Sequence, residues 1–297
     1  MNKPLVGAFL AALLLGAGAA PVAAAGPAGN ASEVSAETAP RTTYAAPDAV
    51  PAAKAVTFAG TVALSNCSGS VVRSPDSAPT DPALVLSNGH CLESGFPGPG
   101  EVVVDQPSSR TFTLLNASGD GVGTLKASKI AYGTMTDTDL SLYELTSTYQ
   151  QIEDSYGIQA LELETAHPTA GTAITVASGY WKRTYSCDID GFVHQLKEGR
   201  WTWKDSVRYT PECQTIGGTS GSPVIDDATG KVVAVNNTGN ESGQECTDNN
   251  PCEVDENGEV TVREGINYAQ QTYTMVPCIA TGNKIDLDRE GCALPKP

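Results

Sequence analysis

An all-β architecture, a barrel or a sandwich, is what this sequence predicts, on three observations. Short β-branched and apolar runs recur at close, even spacing from Val56 onward. Gly, Asn, Asp and Pro punctuate them, and helical periodicity is scarce. Asp139-Leu140-Ser141-Leu142-Tyr143-Glu144-Leu145 alternates apolar and polar side chains, the period of a half-buried strand. With 297 residues the chain is long enough for one large or two small domains with a real core.

Taken in order, the N-terminus reads as a targeting segment. Asn2-Lys3 gives a weakly positive start, Leu5 to Ala20 is apolar, and Ala23-Ala24-Ala25 offers small residues of the kind cut after. Residues 1–25 are therefore expected to be a secretory signal peptide, the apolar run being short for a membrane span. Residues 26–55 are Ala, Pro, Gly, Ser and Thr with few large apolar groups, a disordered leader or propeptide.

Strand candidates over 56–147 are Val56-Thr57-Phe58, Thr61 to Leu64, Ser70-Val71-Val72, Ala83 to Leu86, Glu101 to Val104, Thr111 to Leu115, Lys129 to Tyr132 and the run from Asp139. Thr148 to Tyr156 is polar and reads as a linker. A second series follows within 148–297: Ile158 to Leu161, Ala173 to Val176, Cys187 to Asp190, Gly191 to His194, Ser206 to Tyr209, Pro223-Val224-Ile225 and Val232 to Val235. Asp226 to Gly230 joins the last two with hairpin-turn residues. Cys246 to Glu259 reads as an acidic loop tied by Cys246–Cys252, Gly265 to Ala269 as a last strand, and 271–282 as a short terminal helix. Cys292, in the tail, is placed to reach back to Cys278.

The formal charge of −16 and pI of about 4.5 repel phosphate backbones, so nucleic-acid binding is excluded as a function class. No segment after the leader has the apolar length of a membrane span. The eight cysteines, Cys67, Cys91, Cys187, Cys213, Cys246, Cys252, Cys278 and Cys292, are even in number and belong to a chain that looks exported. Disulfides in an oxidising, extracellular setting are the expectation, and no Cys-x-x-Cys pair points to zinc.

Chemistry concentrates in Gly217-Gly218-Thr219-Ser220-Gly221-Ser222-Pro223. Glycines beside a serine let the backbone turn sharply and aim N–H groups at a developing oxyanion. A serine nucleophile needs a histidine base and a carboxylate to orient it. Of three histidines, His167 precedes Pro168 in a turn and His194 lies on a strand with no carboxylate box. His90 ends a buried-type strand, and Asp139 opens another; Asp137 competes for the acid, but the strand register favours Asp139. The order His, Asp, Ser is that of chymotrypsin, not of subtilisin or the α/β-hydrolases.

At these residues the chain resembles the trypsin-like serine proteases. Ser87-Asn88-Gly89-His90-Cys91 is similar to their small-residue–Ala–x–His–Cys box, and Cys67-Ser68-Gly69-Ser70 to the strand before it. Asp139-Leu140-Ser141-Leu142 resembles Asp-Ile-Ala-Leu, and Gly218-Thr219-Ser220-Gly221-Ser222-Pro223 resembles Gly-Asp-Ser-Gly-Gly-Pro. The likeness runs from residue 56 to about 280, and the look of leader and tail is that of a bacterial secreted protein. It implies two perpendicular six-stranded antiparallel β-barrels with the site between them, and a short C-terminal helix. It implies His90, Asp139 and Ser220 as the triad, the N–H groups of Gly218 and Ser220 as the oxyanion site, and a Cys67–Cys91 bridge. Cys187–Cys213 would staple the wall upstream of Ser220. The implied protein is a monomer acting on protein or peptide substrates, with no cofactor and no metal.

Two departures matter. Thr219 replaces the aspartate that, in pancreatic-type relatives, pairs with a newly cut N-terminus, and no Arg-Ile-Val-Gly-Gly activation site precedes Cys67. Activation by N-terminal insertion is therefore not expected; bacterial glutamyl endopeptidases also lack this aspartate, and Thr215 to Pro223 resembles their nucleophile box. Counting back from Ser220 puts Gln214, or a neighbour, at the base of the specificity pocket, where its neutrality disfavours a trypsin preference. Glutamyl relatives carry a histidine where Asn236 stands, which argues against glutamate as well. Thr215, Asn236, Asn237, Thr238 and Gly239 are expected to line the pocket.

Three other readings compete. An inactive binding protein on the same fold would keep the residues and lose the oxyanion site. An α/β-hydrolase esterase needs glycine two residues after the nucleophile, where Ser222 stands. A calcium site at Asp248, Asp255 and Glu256 lacks the spacing of a known loop, so a solvated acidic loop is the expectation.

Overall fold

The computed structural model describes residues 55–297. The signal peptide read over 1–25 and all but the last residue of the leader lie outside them. Sixteen strands and one α-helix fill the described chain, and every strand run is short enough to be bounded by turns.

The first sheet takes β1 (Thr61–Ala63), β2 (Ser68–Arg73), β3 (Pro82–Ser87), β4 (Val102–Pro107), β5 (Thr111–Leu115), β6 (Gly121–Thr134), β7 (Leu140–Thr148) and β8 (Leu161–Glu162). Six of them close a ring in the order β1-β5-β6-β7-β3-β2, antiparallel throughout, because β1 also pairs with β2. Closure removes the exposed edges that an open sheet would leave. The other two are appended: β4 pairs with β6, and β8 runs parallel to β2.

The second sheet takes β9 (Ala173–Ser178), β10 (Arg183–Glu198), β11 (Trp201–Tyr209), β12 (Pro223–Asp226), β13 (Val232–Gly239), β14 (Cys252–Val254), β15 (Val260–Val262) and β16 (Asn267–Gln271). Its pairings also close on six strands, in the order β9-β10-β11-β16-β13-β12. The β14–β15 hairpin extends β10 beyond the ring. This is the chymotrypsin-like double barrel that the alternating patterns and boxes pointed to.

Four differences from the expected elements have local causes. Cys187 to Asp190 and Gly191 to His194 are one strand, β10, whose alternation changes phase at a bulge between Ile189 and Gly191. The polar stretch after Thr148 is the α-helix, α1 (Tyr149–Tyr156), not a linker. Thr148 and Gln151 form a capping box, and Gly157, at φ 67°, supplies the left-handed stop. The terminal helix expected over 271–282 is reduced to single 3-10 turns at Val276–Cys278 and Thr281–Asn283, with Gly282 at φ 74° breaking helical continuity. The acidic loop contains a strand, β14, because Glu253 is buried between Arg208 (2.9 Å), Arg263 (3.0 Å) and the Tyr268 hydroxyl (3.1 Å).

Each barrel has its own apolar interior, around Val85, Phe112 and Tyr143 in the first and Val176, Val207 and Tyr209 in the second. A third cluster joins them. Leu84, Leu86 and Leu142 meet Ala177, Ile225 and Val235, and Met275, Ile279 and Leu294 of the tail pack over both. Burying each such side chain contributes roughly 1.5–3 kcal/mol. Four disulfides staple the chain: Cys67–Cys91, Cys187–Cys213, Cys246–Cys252 and Cys278–Cys292. Among the described residues no helix is long and apolar enough to cross a membrane.

The capping box on α1 is a test of local stability. Thr148→Ala removes one reciprocal hydrogen bond and is expected to cost about 1 kcal/mol. Thermal melts followed by circular dichroism should show a fall of about 2–4 °C in Tm.

Candidate active site

His90 sits in a 3-10 turn, Gly89–Cys91, at the end of β3. The turn lies hard against β6: a Cβ on Gly89 would overlap the Thr134 carbonyl and come within 3.1 Å of Asp139 Oδ1. Only glycine allows that approach. Asn88 Nδ2 donates to the Asp139 carbonyl at 2.7 Å, and Ser141 Oγ donates to the Asn88 carbonyl at 2.8 Å. Cys91 is bridged to Cys67, and its carbonyl accepts from buried Arg110, which also donates to the Tyr143 hydroxyl at 2.9 Å. The segment around His90 is thus held from several sides.

Asp139 is 0 % exposed. Its Oδ1 accepts the His90 backbone N–H at 3.0 Å, and its Oδ2 pairs with His90 Nδ1 at 2.7 Å. The second contact assigns the Nδ1 proton to the Asp139 side and leaves Nε2 free to act as a base. Burial draws the His90 pKa down, but the charge and hydrogen bond of Asp139, with the charge of Glu198, outweigh it, so the imidazole titrates above its ordinary 6.5.

Ser220 lies in the turn before β12. Gly218 and Gly221 take φ of 89° and 82°, as the motif required. Gly221 N–H donates to the Asn236 carbonyl, Asn236 N–H to the Ser222 carbonyl, both at 2.9 Å, and Ser68 N–H of β2 to the Ser220 carbonyl at 2.8 Å. The Ser220 hydroxyl donates to the Asn237 carbonyl at 3.1 Å rather than to His90. Turning χ1 releases it; resting sites often hold such hydrogen bonds in a loose or alternative form. The N–H groups of Gly218 and Ser220 have no hydrogen-bond partner among the described residues.

His90, Asp139 and Ser220 line one cleft of about 390 Å³. Thr215, Asn236, Asn237, Thr238 and Gly239 line it too, and Gln214 does not. The Gln214 amide instead donates to the carbonyls of Pro211 (2.7 Å) and Gly265 (3.2 Å), so counting back from Ser220 overshoots the cleft by a residue. Thr215 is on the cleft wall, its hydroxyl donating to Asn267 Oδ1 at 2.7 Å, and Asn267 is a lining residue that the motifs did not reveal. Gly218 is not among the lining residues, although Gly217 and Thr219 on either side of it are.

Sequence reasoning also missed Glu198, at the end of β10. Its Oε1 accepts the Asn249 N–H at 2.8 Å, and its Oε2 is buried without a hydrogen-bond partner. Burial pushes its carboxyl above the usual carboxylate range, against the pull of Thr238, of the Asn249 N–H and of a charged His90. Glu241 and Asp248 add further acid to the cleft, and Phe96, Trp201 and Trp203 supply its aromatic walls. Phe96 stacks edge-on between His90 and Trp201, with centroids 5.8 and 5.9 Å apart.

The remaining candidates stand elsewhere. Asp137 accepts from Lys204 Nζ at 2.8 Å on the surface, which leaves Asp139 alone beside His90. His167 pairs with Asp205 at 3.2 Å and packs edge-on against Phe192, and His194 is exposed. Asp255 Oδ1 accepts the Asn257 and Glu259 N–H groups of its own turn, both at 2.8 Å, while Asp248 faces the cleft.

A closed double barrel with a histidine, a buried aspartate and a glycine-flanked serine on one cleft defines a serine hydrolase of the trypsin-like class. Comparison with protein families agrees: the model of the trypsin-like peptidase domain matches residues 67–235, over half of the chain. The chain belongs to the trypsin-like peptidase family. Among solved structures it is similar to a thermostable serine protease, AL20, from an extremophilic microorganism (16 % identity, TM-score 0.42, 72 % of this chain and 91 % of that one). It is similar also to a Glu endopeptidase solved with MPD (15 %, 0.41, 72 % and 85 %) and to the protease Anisep from Arthrobacter nicotinovorans (16 %, 0.41, 73 % and 90 %). No curated protein sequence matches it significantly.

The Glu198 charge has a measurable consequence. Base catalysis needs neutral His90, so a raised pKa moves the acid limb of kcat/KM to higher pH. Glu198→Gln removes one of the charges that raise it, and the acid limb is expected to move to lower pH in a pH–rate profile.

Proposed function

We propose that this chain is a secreted serine endopeptidase that hydrolyses peptide bonds through an acyl-enzyme. Ser220 Oγ attacks the scissile carbonyl carbon. His90 Nε2 takes the hydroxyl proton and passes it to the leaving amine, so the C–N bond breaks as the ester forms. Water, deprotonated by the same nitrogen, then releases the acid product and restores Ser220. Asp139 holds the imidazole tautomer and stabilises the imidazolium. The Gly218 and Ser220 N–H groups receive the oxyanion; one such donor contributes about 10²–10³ in rate.

The observation that carries the reading is the 2.7 Å contact between His90 Nδ1 and wholly buried Asp139, on the same cleft wall as Ser220. Burying a carboxylate costs several kcal/mol unless it is paired, and here the partner is the one ring nitrogen a general base leaves unused. The four disulfides support an extracellular or periplasmic setting. Membership of a peptidase family points to protein or peptide substrates.

An inactive binding protein on this fold is the alternative, and the unpaired N–H groups beside Ser220 disfavour it. A fluorophosphonate probe separates the two. The mature protein is expected to take the label at Ser220 and to cleave fluorescent casein. Ser220→Ala should abolish labelling and lower turnover on the order of 10⁶-fold. Absence of labelling in the folded wild-type protein sinks the reading.

A further inference from the structure

We propose that Trp181 is a positioning residue for the oxyanion site. Its indole N–H fixes the Gly217–Gly218 peptide so that the Gly218 N–H faces the reacting carbonyl. The inference rests on the serine-protease reading of the cleft.

Trp181 lies in the turn between β9 and β10, and its Nε1–H donates to the Gly217 carbonyl at 2.8 Å. The peptide is trans, so its N–H points opposite to its carbonyl. A carbonyl drawn toward Trp181 therefore turns the Gly218 N–H the other way, and that N–H has no partner within the described chain. Two consecutive glycines carry little steric bias of their own. Were the peptide to flip, a carbonyl oxygen would stand where the donor is needed and would repel the developing oxyanion.

Among the described residues, no other hydrogen bond reaches this peptide. In pancreatic-type relatives the aspartate before the nucleophile anchors the loop, and here that position is neutral Thr219. Thr219 is tied from below, its hydroxyl donating to the Ile216 carbonyl at 2.6 Å and accepting from Asn236 Nδ2 at 3.1 Å. The Gly218 carbonyl accepts from Ser68 Oγ at 3.2 Å. These contacts fix the residues on either side of the Gly217–Gly218 peptide and leave its rotation to Trp181. The indole is itself placed: Trp181 N–H donates to Ser178 Oγ at 3.3 Å, and the ring meets Tyr180 edge-on at 4.9 Å. A Cβ on Gly218 would come within 3.0 Å of both Trp181 Nε1 and the Tyr180 ring. Trp181 remains 49 % exposed, so core burial does not account for it.

Trp181→Phe keeps the aromatic ring and deletes only the donor. On fluorescent casein its kcat is expected to fall ten-fold or more while KM stays within two-fold. The second-order rate of fluorophosphonate labelling should fall in parallel, since the phosphoryl oxygen occupies the same site, and the Tm should not move. A kcat and a labelling rate both within two-fold of wild type overturn this inference and leave the protease reading intact. A folded wild-type protein that takes no label overturns both.

Discussion

A carboxylate with no access to water sets the terms for the rest of the site. Wholly buried Asp139 meets two donors, the His90 N–H and the His90 ring. Both belong to one residue in one tight turn, so a small displacement of that turn would strand the charge. The surrounding structure prevents it. Gly89 lets the turn touch β6, Asn88 and Ser141 tie it to β7, and the Cys67–Cys91 bridge with Arg110 ties it to β2 and β5. In the chain-entropy account such a bridge contributes roughly 3 kcal/mol. Much of the first barrel can be understood as the frame that keeps one ion pair in register.

The second barrel supplies Ser220, but does not hold it alone. The Ser220 carbonyl accepts from Ser68 of β2, and the Ser87 hydroxyl accepts no share of that load, donating instead to the Ser68 carbonyl at 2.8 Å. A Cβ on Gly221 would overlap both the Ser68 carbonyl and Ser87 Oγ. Ser220 and the turn of His90 are therefore referenced to the start of the same strand, although they are far apart in sequence. That common reference helps to bring residues of both halves onto one cleft.

What the sequence disclosed follows from how local each signal is. The Asp139 choice rested on strand phase, and Asp137 duly turns outward to Lys204. The turn around Ser220 announced itself through glycines, and Gly218 and Gly221 take positive φ. Glu198 was invisible because its burial depends on Asn249, distant in sequence, and no motif joins them. Of Gln214 or a neighbour, the cleft takes the neighbour Thr215, because a count along the chain cannot see that the Gln214 amide is satisfied by Pro211 and Gly265. The helix α1 was hidden by a polar sequence that buries only Tyr149 and Ile152. Of the disulfides, the family resemblance implied Cys67–Cys91, whereas the sequence left the other connectivity open, and the fold pairs Cys187 with Cys213, Cys246 with Cys252 and Cys278 with Cys292.

The segment after β16 crosses back over the first barrel. Asn283 Nδ2 donates to the Pro82 carbonyl at 2.8 Å, Tyr132 donates to the Pro295 carbonyl at 2.9 Å, and Met275, Ile279 and Leu294 fill the groove where the halves meet. Because this strap follows every barrel strand in sequence, the seam between the halves is filled by residues that come after both of them, and a segment that lends nothing to the walls of the cleft covers the join behind it.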